Sequence, residues 1–274
     1  MSMKYIVAVS GGVDSVVLLD MMTKMAGHDL VVAHFDHGIR DNSAEDAYFV
    51  SSLASQYGLT YSGKREELGK TASEALARNR RYLFLRELAN AHGARIVTAH
   101  HLDDLVETVA INLKRGTGWR GLSVLDSDVL RPLIDTPKQQ LIQYALANGL
   151  VWHEDSTNAS DAYLRNRVRR KTSTISHDTK RQLRALHSHQ KHLKTEIETE
   201  TLKLVGSGPE FSRYLLTHVP QPAALECLRL ITKGSLTRPQ LARCLLAVKT
   251  AAAGSVYEAG SGVNIRFSTR HFSL

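Results

Sequence analysis

The sequence predicts an α/β fold: a parallel sheet wrapped by helices, followed by a smaller, mainly helical C-terminal domain. Three observations carry this. Strand and helix signals alternate through the first half of the chain, the order that builds a parallel sheet. The strand candidates are short apolar runs, as expected of strands covered on both faces. After His177 the alternation gives way to helical spacing.

Lys4 to Val9 is an apolar run ending in Ser10-Gly11-Gly12, which reads as a buried strand. Val13 to Met25 follows helical spacing and stops at Gly27. Leu30 to Phe35 is a second strand. Ser43 to Tyr57 is a helix, with Ser43 and Asp46 in capping-box spacing and Gly58 as its stop. Leu59 to Tyr61 gives a short third strand. Thr71 and Glu74 form another capping box, opening a helix that runs to about His92 and ends at Gly93. Arg95 to Ala99 is a strand, and Asp103 to Lys114 is the next helix. Thr136-Pro137-Lys138-Gln139 supplies a cap, a proline at the first helical position and a box partner, for a helix ending near Asn148-Gly149. His177 to Leu204 is a long polar helix, and Gly206-Ser207-Gly208-Pro209 is a break. Ala223 to Ile231 and Pro239 to Val248 are helical. Val256 to Phe272 alternates like a terminal hairpin turning at Gly260-Ser261-Gly262.

The 274 residues suggest one large domain and a smaller one. A hydrophobic content of 43% excludes a wholly disordered chain. No apolar run approaches the ~20 residues that a membrane span needs, so no membrane association is expected. The first apolar stretch is too short for a secretory signal. Cys227 and Cys244 are the only cysteines, which gives no disulfide framework and points to a reducing, cytoplasmic setting. The net charge of +8 is unevenly spread. From Arg165 to Lys194, ten Lys and Arg stand against the single acid Asp178. Solvated helix faces usually mix both signs, so this stretch reads as a footprint for a polyanion, nucleic acid first.

Ser10-Gly11-Gly12-Val13-Asp14-Ser15 is the strongest chemical signal, because it joins a strand to a helix. The glycines let backbone N–H groups approach an anion closely, and the helix N-terminus adds positive partial charge. Ser10 and Ser15 add hydroxyl donors. The set is a phosphate cradle. Asp14 repels phosphate unless a cation bridges the two, and Mg²⁺ is the natural bridge, which makes Asp14 the candidate metal ligand. The loop is neither a Walker P-loop nor G-x-G-x-x-G. Gly69-Lys70-Thr71 would need a glycine at position 64, where Lys64 stands.

Asp103, Asp104 and Glu107 put three carboxylates near one face of a helix's first turns. Beside His100 and His101 they exceed what a cap needs, and they suit an ammonium group or Mg²⁺. Asp104 and Glu107 are favoured for gripping a substrate amine, and a base there could deprotonate it. His34, His37, His100 and His101 lack a nearby cysteine and are read as polarising groups rather than zinc ligands, His34 also as a packed core histidine. Asp36 is a candidate for contacting ribose or Mg²⁺. Arg78, Arg81 and Arg115 are candidates for stabilising a phosphate-bearing anion, which the resemblance given next would make pyrophosphate or an adenylate, since the guanidinium fork is planar and always charged.

The Ser-Gly-Gly-x-Asp-Ser loop resembles that of the N-type ATP pyrophosphatases, which adenylate an oxygen and release pyrophosphate. Further segments follow in order: His34-Phe35-Asp36-His37-Gly38-Ile39-Arg40, Glu74 to Tyr82, Ala99 to Thr108, Arg115-Gly116-Thr117-Gly118, Gly121-Leu122, Arg131-Pro132-Leu133, Glu154-Asp155-Ser156-Thr157-Asn158 and Arg165-Asn166-Arg167-Val168-Arg169. Together they are similar to the tRNA(Ile)-lysidine synthetases, over roughly residues 4 to 170. The resemblance implies a Rossmann-like, adenine nucleotide α-hydrolase-type sheet. It implies that ATP, with Mg²⁺, adenylates O2 of the wobble cytidine in a CAU-anticodon tRNA(Ile), and that the ε-amine of free L-lysine then displaces AMP. Ser10, Gly11, Gly12, Val13, Asp14, Ser15 and Arg78 would bind nucleotide; Asp14, Asp36, His100, Asp104, Glu107 and Arg115 would carry the chemistry. The expected organisation is a catalytic domain over 1–175, a basic helical linker over 176–205 and a small tRNA-binding domain over 206–274, reduced from the two C-terminal domains of many family members. Oligomeric state is left open. Another tRNA-modifying ATP pyrophosphatase is the alternative, although thiolation enzymes need cysteines and none precedes Cys227. A further alternative, a non-catalytic RNA-binding module, leaves Ser10, Asp14, Ser15 and the acidic set without a purpose.

Overall fold

The computed structural model describes residues 3–38, 43–69, 72–125, 128–153 and 164–274. The chain divides into two compact units, Met1–Gln190 and Lys191–Leu274. Among the described residues no helix is long and apolar enough to cross a membrane.

The first unit is built on four strands: β1 (Met3–Ala8), β2 (His28–Asp36), β3 (Thr60–Arg65) and β4 (Arg95–Val97). They lie in the order β3-β2-β1-β4, and every pairing is parallel. Ile6, Val7 and Val32 are fully buried, which explains why β1 and β2 read as continuous apolar runs. Helices α1 (Val13–Thr23), α2 (Ser43–Gln56), α3 (Glu74–His92), α4 (Leu102–Lys114) and α5 (Lys138–Ala147) follow. One core packs α1, α2 and α5 against the sheet; a second packs α3, through Tyr82, Phe84, Leu85 and Ala89, on its other side. This is the α/β architecture the sequence predicts.

Several helix starts differ from the sequence-based expectation. Ser43 is the first helical residue of α2, its hydroxyl buried without a hydrogen-bond partner. Asp46 pairs instead with His153, so the Ser43–Asp46 box does not form. Thr71 lies outside the described residues; the cap of α3 is Ser73, whose hydroxyl accepts from the Leu76 N–H. Gly93 ends α3 at φ +59°, a conformation glycine adopts without penalty. Thr136 does not cap α5. Pro137 takes the cap position with no side-chain bond, and the Asp103 carboxylate accepts the Lys138 N–H at 2.8 Å. A helix not read from the sequence, α6 (Leu164–Ser173), precedes α7 (His177–Val205).

The second unit has helices α8 (Arg213–His218), α9 (Gln221–Ile231) and α10 (Arg238–Thr250). They pack on an antiparallel sheet of β5 (Glu210–Ser212), β8 (His271–Ser273), β7 (Val263–Phe267) and β6 (Val256–Gly260), in that spatial order. The expected hairpin is therefore the β6–β7 half of a four-stranded sheet. Cys227 and Cys244 are buried and unbonded to each other, in a core with Leu228, Leu241, Ile265 and Phe272.

Candidate active site

Parallel sheets place their ligand sites at the carboxyl ends of the strands. Here the segments leaving β1, β2 and β4 surround a cavity of about 520 Å³ with Ser10, Asp14, Asp36, His100 and Asp104 in its wall.

The loop after β1 is braced by its own backbone. Gly11 sits at φ +92°, a backbone conformation that favours glycine, although a Cβ there would meet Phe49 only at an ordinary 3.5 Å. Gly12 caps α1 in an extended conformation. The Ser15 hydroxyl donates to the Gly12 carbonyl at 2.8 Å and accepts the Ser10 N–H at 3.1 Å. The Gly11 carbonyl accepts the His153 N–H at 3.0 Å, and the His153 ring stacks on Phe49 with centroids 4.3 Å apart. The first N–H groups of a helix have no partner within the helix, so α1 presents donors at the loop.

Asp14 is not positioned as a free carboxylate. Lys138 donates to both of its oxygens, at 2.6 and 2.7 Å. The His101 Nε2 lies 3.6 Å from Asp14 and 3.4 Å from Asp104. Burial alone would raise the Asp14 pKa, but the bond to His101 and the charges of His101 and Lys138 prevail and lower it. His101 is raised for the complementary reason: burial opposes its charge, and Asp14 and Asp104 outweigh burial. Among the described residues no group of three or more His, Cys, Asp or Glu is arranged to hold a metal ion. With both Asp14 oxygens occupied by an ammonium, this site does not fit a protein-held Mg²⁺.

His101 is the N-cap of α4 in a capping box with Asp104. Its Nδ1 accepts the Asp103 N–H at 3.2 Å, and the Asp104 carboxylate accepts the His101 N–H at 3.1 Å. His100 is held at 2.8 Å from the Thr98 hydroxyl. Burial, with Arg78, Arg131 and Arg81 nearby, lowers its pKa to about 3, so the ring is neutral at physiological pH.

The three acids of α4 are each met by cations from the basic stretch. Lys180 reaches Asp103 at 2.5 Å, and Arg165 reaches Asp104 and Glu107 at 3.0 Å each. Arg169 reaches Glu107 at 2.7 Å. Glu107 is 2% exposed and does not line the cavity, so it anchors α6 rather than facing a ligand. The sequence reads Glu107 as an amine-gripping acid; here both of its oxygens are met by guanidinium groups. Asp104 lines the cavity and is held ionised, burial being outweighed by His101 and Arg165.

Arg78 and Arg81 also line the cavity, with their guanidinium groups 4.9 and 5.6 Å from the centre of the Tyr82 ring. Among the described residues neither is ion-paired to a carboxylate. Burial and the neighbouring positive charges of Arg78 and Arg165 lower the Arg81 pKa, the electrostatic state of a cation placed to meet an anion. Asp36 also lines the cavity, its oxygens accepting from the Gly38 N–H and the Arg65 guanidinium. His34 is a satisfied core histidine, 2.8 Å from the Val9 carbonyl, with one edge at the cavity. Arg115 does not line this cavity. It is the exposed C-cap of α4, ~20 Å along a 13-residue helix from the acids of the first turn. Its place in a glycine-rich stretch suggested otherwise. Ile39, Arg40 and the Glu154–Asn158 segment lie outside the described residues. Lys138 and His153 were missed as site residues. Lys138 carried a signal, a lysine at a proline-initiated helix start, but nothing local marked its partner.

A family model described as a PP-loop domain matches residues 1–174. The tRNA(Ile)-lysidine synthase of Enterococcus faecalis is 41% identical over 177 residues, covering 60% of this chain and 38% of that protein. That of Thermus thermophilus is 42% identical over 172 residues, covering 60% and 34%. The chain thus spans less than half the length of these curated relatives. The U34-tRNA thiolase NcsA from Methanococcus maripaludis has the same fold, with a TM-score of 0.57 at 18% identity over 70% of this chain and 71% of that one. A glycine loop after β1, a four-stranded parallel sheet and a family match over most of the first unit lead to one conclusion: the chain belongs to the PP-loop domain family.

Proposed function

We propose that this protein is an ATP-dependent ligase that attaches lysine to C2 of the wobble cytidine of a CAU-anticodon tRNA(Ile). The observation that carries this reading is one cavity joining three elements: the phosphate loop with Ser10 and Ser15, the arginines Arg78 and Arg81, which have no carboxylate partner among the described residues, and the ionised Asp104 beside neutral His100. Relatives named tRNA(Ile)-lysidine synthase support the choice of product.

In this reading the loop N–H groups hold the triphosphate, and Arg78 and Arg81 stabilise the charge that builds on the departing pyrophosphate. O2 of the cytidine attacks the α-phosphorus, giving an O2-adenylated base and pyrophosphate. The lysine amine then attacks C2, and the C2–O2 bond breaks with AMP as the leaving group. Asp104 holds the incoming ammonium until it loses a proton, and His100, being neutral, offers a hydrogen bond without repelling that cation. Mg²⁺ is read as belonging with the substrate's phosphates, since the described residues offer it no cage. The base must leave its stack, so a single-stranded anticodon loop is the expected substrate. The basic helices α6 and α7 and the second unit are the proposed tRNA-holding elements.

The test is release of AMP and pyrophosphate from ATP. This reading expects both to depend on a CAU-anticodon tRNA(Ile) transcript. Turnover that is indifferent to RNA would contradict it. A thiolation reading lacks an exposed thiol, since both cysteines are buried in the second unit's core.

A further inference from the structure

Asp14 poses an electrostatic problem for any phosphate reading: a carboxylate stands on the first turn of the helix that would receive the anion. Three observations answer it without a metal. Lys138 spans both Asp14 oxygens, at 2.6 and 2.7 Å. Its side chain is 38% exposed and that of Asp14 28%, and Asp14 lines the cavity, so the pair meets solvent rather than being sealed in the core. Lys138 is also fixed from behind, because its own N–H is held by Asp103 at 2.8 Å. A lysine ammonium has three N–H donors, and Asp14 uses two.

We infer that Lys138 is the phosphate-binding cation of this site, holding Asp14 with two donors and meeting the terminal phosphates of the nucleotide with the third. The inference rests on the ATP reading proposed above. It gives Asp14 a role different from metal binding: the carboxylate positions the ammonium beside the loop and keeps it there when no nucleotide is bound. Both partners are half-buried and still reach solvent, so the ammonium can meet a polyphosphate while the carboxylate stays paired.

The experiment is calorimetric titration of the full chain with ATP, AMP and inorganic pyrophosphate, for wild type, Lys138→Met, Lys138→Arg and the double variant Asp14→Asn/Lys138→Met. Losing a charge-assisted bond predicts about a 10- to 100-fold weaker affinity of Lys138→Met for ATP and pyrophosphate. AMP, which lacks the terminal phosphates, should bind within about twofold of wild type, and Lys138→Arg should recover much of the loss. The double variant should stay weak. If it recovers wild-type ATP affinity, the single variant failed only because Asp14 was left bare, and the inference is overturned. Equal losses for ATP and AMP would make Lys138 a support of the loop's shape and would overturn it as well. So would ATP affinity unchanged in Lys138→Met. Wild-type protein that binds none of the three probes would instead defeat the ATP reading itself, and this inference with it.

Discussion

Asp14 and Lys138 stand at the same level of two parallel helices. Asp20 and Tyr144 meet one step further along, at 2.7 Å, and Lys24 and Asn148 meet beyond them, at 3.0 Å. Each pair is 124 residues apart, so α1 and α5 run side by side in register, with both N-termini at the phosphate loop. The far end of this strut is a buried polar cluster. Asp20 is 4% exposed and accepts from Lys24, Tyr57 and Tyr144.

That cluster should show in stability. Tyr144→Phe removes one bond to an ionised acceptor, a loss of about 1.5–3 kcal/mol. Asp20→Ala should cost more, because it strands two tyrosine hydroxyls together. Urea denaturation measures both, and a Tyr144→Phe protein as stable as wild type would show that α5 is held by apolar packing alone.

Glu107 should behave as an anchor of α6. Breaking a buried ion pair from one side costs ~3–5 kcal/mol. Arg169 is 41% exposed, so about 2 kcal/mol is the expected loss for Glu107→Gln. Limited proteolysis should then cut within Leu164–Ser173 sooner than in wild type. Unchanged stability with a selective loss of lysine affinity would restore the acid to the amine-binding role its sequence position suggested.

His100 sets an acid limit. Its pKa falls from the ordinary 6.5 to about 3 on folding, chiefly through burial. Between those values the unfolded chain binds more protons, so stability drops as pH falls from about 6.5 towards 3. His101 has the opposite sign. It is raised, so its contribution is complete below pH 6.5, is lost only as pH rises through its folded value, and adds no slope in the acid window. His100→Gln should therefore flatten the stability profile between pH 6.5 and 4. Thermal melts across that range would contradict this if the two proteins lost stability in parallel.

The basic stretch is less available than its charge suggests. Arg165, Arg169 and Lys180 are engaged by the acids of α4, and Arg184 by Asp135. Arg167 and Lys171 are exposed on α6 outside those pairs. Alanine at either should lower the slope of log affinity against log salt for tRNA by about 1. Filter binding at four salt concentrations measures it, and an unchanged slope in both variants would place the tRNA elsewhere.

These relationships mark the boundary of what the sequence made legible. The parallel sheet and the loop after β1 follow from local pattern: apolar runs, glycine stops and residues within six positions of one another. The partners of that loop do not. Lys138 is 124 residues from Asp14, and Arg165 is 58 from Glu107, and no periodicity reports such distances. Helix α6 was missed because it is almost devoid of apolar residues and is held by charge pairing. His101 was read as a chemical group and is also a cap, a role that Ser, Thr, Asp and Asn more often fill. Arg115 was misplaced because neighbours in sequence lie a helix length apart in space.

The most direct test of the central claim is transfer of radiolabelled lysine from solution to tRNA. The full chain is incubated with ATP, labelled lysine and a transcript of CAU-anticodon tRNA(Ile), beside the same transcript carrying uridine at the wobble position. Label entering the first RNA and not the second is the predicted result. Label entering neither, from protein shown to bind both ATP and the tRNA, would contradict it.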